Sequence, residues 1–527
     1  MFGETRPTRG VAVSGPAVRT ARKAGVVLGR ILLYVLIWAS LALLIAAAGI
    51  QFYWGEISVS QMMLNLVSVE TEGGGGPVVW AGILGIGVAP VVITALIALW
   101  QFFRRRKRRK NCRQPRRPQW IPRTISAVLV AALAVGSVTA FSTTVGVGDY
   151  IKAANSDYDL ADYYVEPTVT DGEDKRNLVV IYLESGEATL GDDQLFEKDA
   201  FAPLKEATPD SDGWQSTDGL QQFQGGGWTM AGVVSTQCGV PLKGTGPEPN
   251  DGSGEVGEGV NTYLGGSTCL GDVLAEHGYT SVFLGGANSS FAAKDVFLRN
   301  HGYSEQKGLA DWRSAGEPEK NFRSDWGLSD ERLMAHAKDR IDQLHAESEK
   351  TGQPFNLSLL TLDTHKPAHV FDYCNVDTQN TDISVFSCSM AQVAGFVDHM
   401  KEKGYLDDTA VVIMGDHLKQ LSAGDSFHEQ LDGQTPRSIF NRIWVPGNDK
   451  NTTLRSGIDQ LNMYATILEA AGLTLKDHEA GLGVSAFAAK VPGSSAQAMD
   501  PNSYKELLNS HSPKFYTRAW AGEEAVQ

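Results

Sequence analysis

"NLVVIYLE", Asn177–Glu184, is an apolar run closed by a carboxylate. Its β-branched and aromatic residues suit a strand, and the missing polar–apolar alternation means that both faces are covered. The pattern returns in "TSVFLGG" (Thr280–Gly286), "FNLSLLTLDTH" (Phe355–His365), "TAVVIMGDH" (Thr409–His417) and "RIWVPG" (Arg442–Gly447). Amphipathic stretches such as "ERLMAHAKDRIDQLHAES" and "LNMYATILEAAG" lie between these runs. Strand–helix alternation of this kind predicts an α/β domain whose largely parallel central sheet is covered by helices on both faces. No internal repeat is present.

Three of these strands end alike, delivering Glu184, then Asp363 with His365, then Asp416 with His417. Ligand crevices of open α/β sheets lie outside the carboxyl ends of the strands. Glutamate, aspartate and histidine supply hard oxygen and imidazole ligands suited to Mn²⁺, Mg²⁺ or Zn²⁺. "GGGWTMAGVVSTQCGVPL", Gly225–Leu242, sets Thr229 directly behind three glycines and a tryptophan. Taken alone, a threonine there reads as a helix N-cap. Inside a metal shell its hydroxyl would instead become a nucleophile at neutral pH.

The first third of the chain differs in composition. Ile31–Trp54, Pro77–Phe103 and Thr124–Gly148 carry no charge, and each reaches the roughly 20 apolar residues that a membrane-crossing helix needs. Three transmembrane helices are expected within residues 1–150, with Pro90 kinking the second. Arg6, Arg9, Arg19, Arg22, Lys23 and Arg30 precede the first span, and "RRRKRRKNCRQPRR" (Arg104–Arg117) separates the second from the third. The loop Gly55–Gly76 has three glutamates and no Lys or Arg. Basic short loops stay cytoplasmic, so the expected topology is multi-pass in the cytoplasmic membrane, with the N-terminus inside and the residues after about Gly148 outside. The basic run then serves topology and anionic lipid contact. Residues 151–176 read as a linker, 177–490 as the catalytic domain, 491–527 as a C-terminal extension and Gly244–Asn261 as a surface loop.

The net charge of −15 includes the basic loop, so the external part is more acidic still, which argues against nucleic acid as its partner. Cys112 falls in the cytoplasmic loop and leaves Cys238, Cys269, Cys374 and Cys388 outside. Four cysteines allow three pairings; Cys238–Cys269 and Cys374–Cys388 are favoured because each closes a short loop. A zinc site lacks its C-x-x-C and a neighbouring histidine pair.

"NLVVIYLESGEATLGD", "GGGWTMAGVVSTQCGVPL", "FLGGANSSFAAKDVFLRNHGY", "LDTHKP" and "MGDH", in this order, resemble the phosphoglycerol transferase and lipoteichoic acid synthase branch of the alkaline-phosphatase/sulfatase superfamily. The resemblance runs from Asn177 to about Gly472 and implies a sulfatase-like (alkaline-phosphatase-like) fold. It implies a metal shell of Glu184, Thr229, Asp416 and His417, with Thr229 as nucleophile, and it sets His365 beside the phosphate or leaving group. Where the synthases hold phosphoglycerol with an arginine and an aspartate, this chain has Lys294 and Asn288; Trp228 joins them as a candidate substrate contact. Lysine keeps the charge but loses the bidentate fork. The glycines before Thr229 are expected to let backbone approach substrate. "CGVPL" lacks the pattern that a sulfatase needs for formylglycine. Asp363 and His428 read as surface polar residues, so one divalent ion is expected, Mn²⁺ first, with Mg²⁺ or Zn²⁺ as alternatives.

The implied reaction moves sn-glycerol 1-phosphate from phosphatidylglycerol to an envelope glycan through a phosphothreonine, releasing diacylglycerol into the bilayer, with a protonated His365 or His417 assisting the leaving oxygen. Alternatives are a polyglycerolphosphate synthase, a phosphoethanolamine transferase and a non-catalytic envelope scaffold.

Overall fold

A computed structural model describes residues 16–53, 55, 80–110, 120–171, 174–244, 262–323, 326–422, 424–447 and 453–521. Cys112, residues 56–79 and residues 245–261 lie outside them. The chain divides into two units.

The first unit is built from helices α1 (Pro16–Tyr53), α2 (Ala89–Lys110) and α3 (Trp120–Thr144). Ala24–Tyr53, Trp80–Lys107 and Thr124–Thr144 are long and apolar enough to cross a membrane. Leu32, Leu96 and Leu129 stand exposed on them, an arrangement stable in lipid and costly in water. Helix α1 starts at Pro16, well ahead of its apolar run, with proline in the first turn where its missing N–H is not needed. At Pro90 the α-helical ladder loses a donor, and the turn before it, Ile83–Val88, is π-helical. Helix α3 stops at Thr144 rather than running to Gly148, and a turn leads into a short helix, Val147–Ala154.

The second unit centres on six strands, β1 (Asn177–Leu183), β2 (Thr280–Gly285), β3 (Tyr303–Lys307), β4 (Phe355–Leu360), β5 (Thr409–Gly415) and β6 (Asn441–Trp444), in the order β3-β2-β4-β1-β5-β6. All neighbours are parallel except β6, which runs antiparallel to β5 at the edge. Leu178, Val180 and Tyr182 of β1 face one core, shared with helices α4 (Thr229–Cys238) and α5 (Lys294–Asn300). Val179, Ile181 and Leu183 face the other, shared with α6 (Asp330–Thr351) and α7 (Thr381–Lys403). Helix α8 (Asn462–Ala470) packs on α4.

The segments flanking the domain are tied into it. In the stretch read as a linker, Leu160 is fully buried and Val169–Asp171 pairs with Thr474–Leu475. Helices α9 (Pro501–Asn509) and α10 (Pro513–Ala519), from the stretch read as an extension, bury Leu507, Phe515 and Tyr516 in the same core as α4. The Asp159 carboxylate accepts hydrogen bonds from the amides of Lys514 and Phe515, which joins the two segments. Cys238 is bonded to Cys269 and Cys374 to Cys388.

Register then fixes the carboxyl edge. Leu183 pairs with Gly415, so the next residues, Glu184 and Asp416, emerge side by side. The Asp416 amide donates to the Leu183 carbonyl at 3.1 Å. Helix α4 crosses so close above them that a Cβ on Gly232 would lie 2.0 Å from the Asp416 carbonyl oxygen. Gly232→Ala is therefore expected to cost at least the roughly 1–3 kcal/mol of overpacking. Exposed Gly493, whose added Cβ meets nothing within 4 Å, should tolerate alanine. Urea unfolding of the detergent-solubilised protein, followed by tryptophan fluorescence, reads both.

Candidate active site

Glu184, Asp416 and His417 are all buried, and one ligand atom from each lies within 4.8 Å of the other two. Thr229 is the first residue of α4 and joins them: its Oγ1 donates to Glu184 Oε2 at 3.2 Å. The N-cap of that helix is Trp228, and Thr229 does not cap it. His417 Nδ1 lies 2.7 Å from the Leu418 carbonyl. A carbonyl only accepts, so Nδ1 carries a proton and Nε2 faces Glu184 Oε1 and Asp416 Oδ2, each at 3.6 Å, whose charges raise the ring's affinity for a second proton; with a cation in place Nε2 would offer its lone pair.

That geometry asks for a cation. Two buried carboxylates and an imidazole converge, and Asp416 Oδ2 has no hydrogen-bond partner among the described residues. Burial, opposed by His417 and aided by the Glu184 charge, pushes Asp416 up to about 7. On Glu184 burial acts upward too, but His417, His365 and Ser185 outweigh it and hold the group at about 2. One proton or one metal ion relieves such a pair. Two carboxylates, an imidazole and a hydroxyl fit a divalent ion.

The other candidates divide. Lys294, in the first turn of α5, is buried with its ammonium 5.9 Å from the Phe283 ring centre and makes no hydrogen bond among the described residues. Burial lowers it to about 8, against the pull of Glu184, Asp295 and Asp416. Asn288 uses its carbonyl oxygen locally, accepting from the Ser290 amide and hydroxyl, and no described bond joins it to the cluster. Trp228 is buried in the core with Leu220 and Met230. Gly226 is crowded by Gln460, whose Oε1 would lie 2.4 Å from an added Cβ. The close approach there is to the chain's own side chain.

His365 follows β4 with its ring 4.2 Å from that of Trp326. Its Nδ1 donates to the Lys366 carbonyl at 2.8 Å, and burial drives it down to about 4 despite the pull of Glu184. Burial thus favours the neutral ring. Asp363 is buried rather than superficial: its Oδ2 accepts from the Asp330 amide and the Tyr373 hydroxyl, and burial with the Asp330 charge raises it well above the carboxylate range. His428 is half-buried at the start of a short helix. A second grouping, Cys269, Asp272 and His301, includes a sulfur already in a disulfide.

A family model described as Sulfatase matches residues 176–473. The chain belongs to the sulfatase family. Phosphoglycerol transferase I of Escherichia coli O127:H6 is 32% identical over 419 residues, covering 76% of this chain and 50% of that protein. The sulfatase-family chain thus spans about half the length of the curated relatives it matches. Among solved structures, an alkaline phosphatase superfamily protein from Vibrio parahaemolyticus has a TM-score of 0.47 at 18% identity, covering 71% of this chain and 95% of that one. Lipoteichoic acid synthase LtaP from Listeria monocytogenes has 0.44 at 17%, covering 66% and 80%.

Several residues of this sulfatase-family site were not singled out from sequence. Ser185, a non-glycine residue with φ of 56°, donates its amide to Asp416 Oδ1 at 2.8 Å and its hydroxyl to Glu184 Oε1 at 2.9 Å. Backbone strain of that sort persists only where its surroundings enforce it. Gln460 Nε2 donates to the Asp416 carbonyl at 2.7 Å. Buried Arg323 donates to the carbonyls of His365 and Pro367 and lies 5.6 Å from the Trp326 ring. Position beside Glu184 was the one signal for Ser185; Arg323 and Gln460 carried none.

The raised Asp416 carboxyl gives the metal a pH signature. Its folded pKa lies above the unfolded value of about 3.9, so the bound proton stabilises the metal-free fold fully below that value. This contribution is lost as pH rises through about 7. A divalent ion takes the proton's place, so the rise in unfolding temperature on adding Mn²⁺ should grow from about pH 5 to about pH 8. Asp416→Asn should flatten that growth, and equal rises in the wild type at both pH values would count against the cluster as a metal site.

Proposed function

We propose that this chain is a membrane-anchored phosphotransferase that moves sn-glycerol 1-phosphate from phosphatidylglycerol to an extracytoplasmic glycan. The observation that carries the reading is the Thr229 hydroxyl held on Glu184 at 3.2 Å, in one cluster with Asp416 and His417. Identity to proteins named phosphoglycerol transferase I supports the glycerol phosphate donor chemistry. Two disulfides support an oxidising compartment for the catalytic unit, and the basic residues around the apolar helices support a cytoplasmic N-terminus.

Thr229 Oγ attacks the donor phosphorus, the bond to the diacylglycerol oxygen breaks, and that oxygen leaves with a proton equivalent to the one the threonine gives up. An acceptor hydroxyl then attacks the phosphothreonine, the bond to Oγ breaks, and Thr229 regains its proton. Glu184 orients the hydroxyl through the hydrogen bond it accepts. Lys294 balances charge on the non-bridging oxygens. Neutral His365 offers a lone pair that takes the acceptor's proton in the second half. A divalent ion held by Glu184, Thr229, Asp416 and His417, with Mn²⁺ the first choice, would lower the hydroxyl pKa and polarise the phosphoryl oxygens.

Detergent-purified full-length protein with Mn²⁺ and fluorescent phosphatidylglycerol should release diacylglycerol. Thr229→Ala should lower that rate at least about a thousandfold, as loss of a nucleophile does, and Thr229→Ser should keep part of it. Unchanged release by Thr229→Ala removes the nucleophile.

A further inference from the structure

Gly225, Gly226 and Gly227 lead into the helix that begins at Thr229, and Gly225 has a φ of 103°. Glycine has the freest backbone of any residue, so three in a row leave the entry to α4 poorly fixed by its own sequence. The carbonyls of Gly226 and Gly227 accept no backbone hydrogen bond among the described residues. The Thr229 side chain makes one described hydrogen bond, to Glu184 Oε2 at 3.2 Å. The loop that presents the nucleophile is therefore held by side chains from outside it.

Three glutamines do this. Gln420 Nε2 donates to the Gly227 carbonyl at 2.8 Å. Gln222 reaches the opposite way, and its Oε1 accepts from the Leu418 amide at 2.8 Å. Gln460, 1% exposed and just ahead of α8, donates through one nitrogen to the Asp416 carbonyl at 2.7 Å and to the Gly226 carbonyl at 3.3 Å. Asp416, Leu418 and Gln420 flank His417, whereas Gln222, Gly226 and Gly227 precede Thr229. Two segments far apart in sequence are thus stitched together by neutral amides alone. A charged side chain in their place would disturb the balance of the two carboxylates nearby, and an amide offers donor and acceptor without that cost.

We propose that Gln420 and Gln460, with Gln222 as their counterpart, are positioning residues. They press the glycine loop onto the Asp416–His417 segment and so set the Thr229 hydroxyl where it serves as ligand and nucleophile. A reacting group displaced by about 1 Å loses about a hundredfold in rate, so a loop of glycines needs such a brace. The glutamines act through Thr229. This inference rests on the transfer reading above and deepens it.

Gln420 gives the cleanest test, because it is half-buried and its amide bonds to the nucleophile loop alone among the described residues. Full-length protein in detergent, stripped of metal, is titrated with Mn²⁺ by calorimetry as wild type, Gln420→Met, Thr229→Ala and the double variant. Gln420→Met should weaken Mn²⁺ about fivefold, as the loss of one hydrogen bond does. In the Thr229→Ala background the same change should have no effect. An effect that persists in that background, or none in the wild type, overturns the inference, since a merely structural brace acts whether or not the hydroxyl is there. Unfolding temperatures read alongside show that each variant is folded. With fluorescent phosphatidylglycerol, Gln420→Met should lower kcat about tenfold at unchanged KM; a raised KM at unchanged kcat counts against the proposal. A protein that shows the coupling but releases no diacylglycerol fails the transfer reading alone, and one that turns over without the coupling fails this inference alone.

Discussion

Glu184 and Asp416 are buried next to each other because the strands that carry them are parallel neighbours in register. Two carboxylates so placed repel across a low-dielectric gap, and the fold around them answers that repulsion at each free atom. Ser185 donates to both side chains from a strained backbone, and Gln460 satisfies the Asp416 carbonyl. The Leu418 carbonyl accepts from His417 Nδ1, which leaves Nε2 facing the cluster. After all of these bonds Asp416 Oδ2 still lacks a partner. That orphaned oxygen is what makes the cluster a candidate for holding a cation.

A second layer of the site is held from a distance. His365 sits on a loop, yet its carbonyl is gripped by buried Arg323 and its ring lies against Trp326. The loop beyond it is fastened by the Cys374–Cys388 bond and by Tyr373 on Asp363. A side chain positioned by packing and hydrogen bonds loses little freedom when substrate arrives, and this favours catalysis from loop residues.

Much of this was legible in the sequence because strands buried on both faces cannot hide. "NLVVIYLE" and "TAVVIMGDH" are nearly continuous apolar runs, and each delivers its acid at the carboxyl edge where it is found. Strand β3, "YSEQK", went unread since an edge strand with half-exposed residues has no such pattern. The cluster of Glu184, Thr229, Asp416 and His417 followed from motif order. Asp363 misled because a strand-end acid looks the same in sequence whether it faces solvent or caps the start of a buried helix. Gly226 lies against Gln460, 234 positions later, and local sequence holds no record of that contact. Arg323, 42 positions before His365, was likewise absent from any reading of the His365 motif.

The packing of α9 and α10 has a consequence for how the molecule comes into being. Asp159 and Leu160 near the start of the second unit are completed by Lys514, Phe515 and Ser512. Trp520 donates to the Lys243 carbonyl, which follows the segment bearing the disulfide of Cys238. A ribosome delivers Leu160 long before Trp520, at about 5–20 residues per second, so for tens of seconds the core that carries Thr229 has an open side. Contacts of such long range close late. The helix that carries Thr229 therefore stays without this cover until the residues around Trp520 have been made.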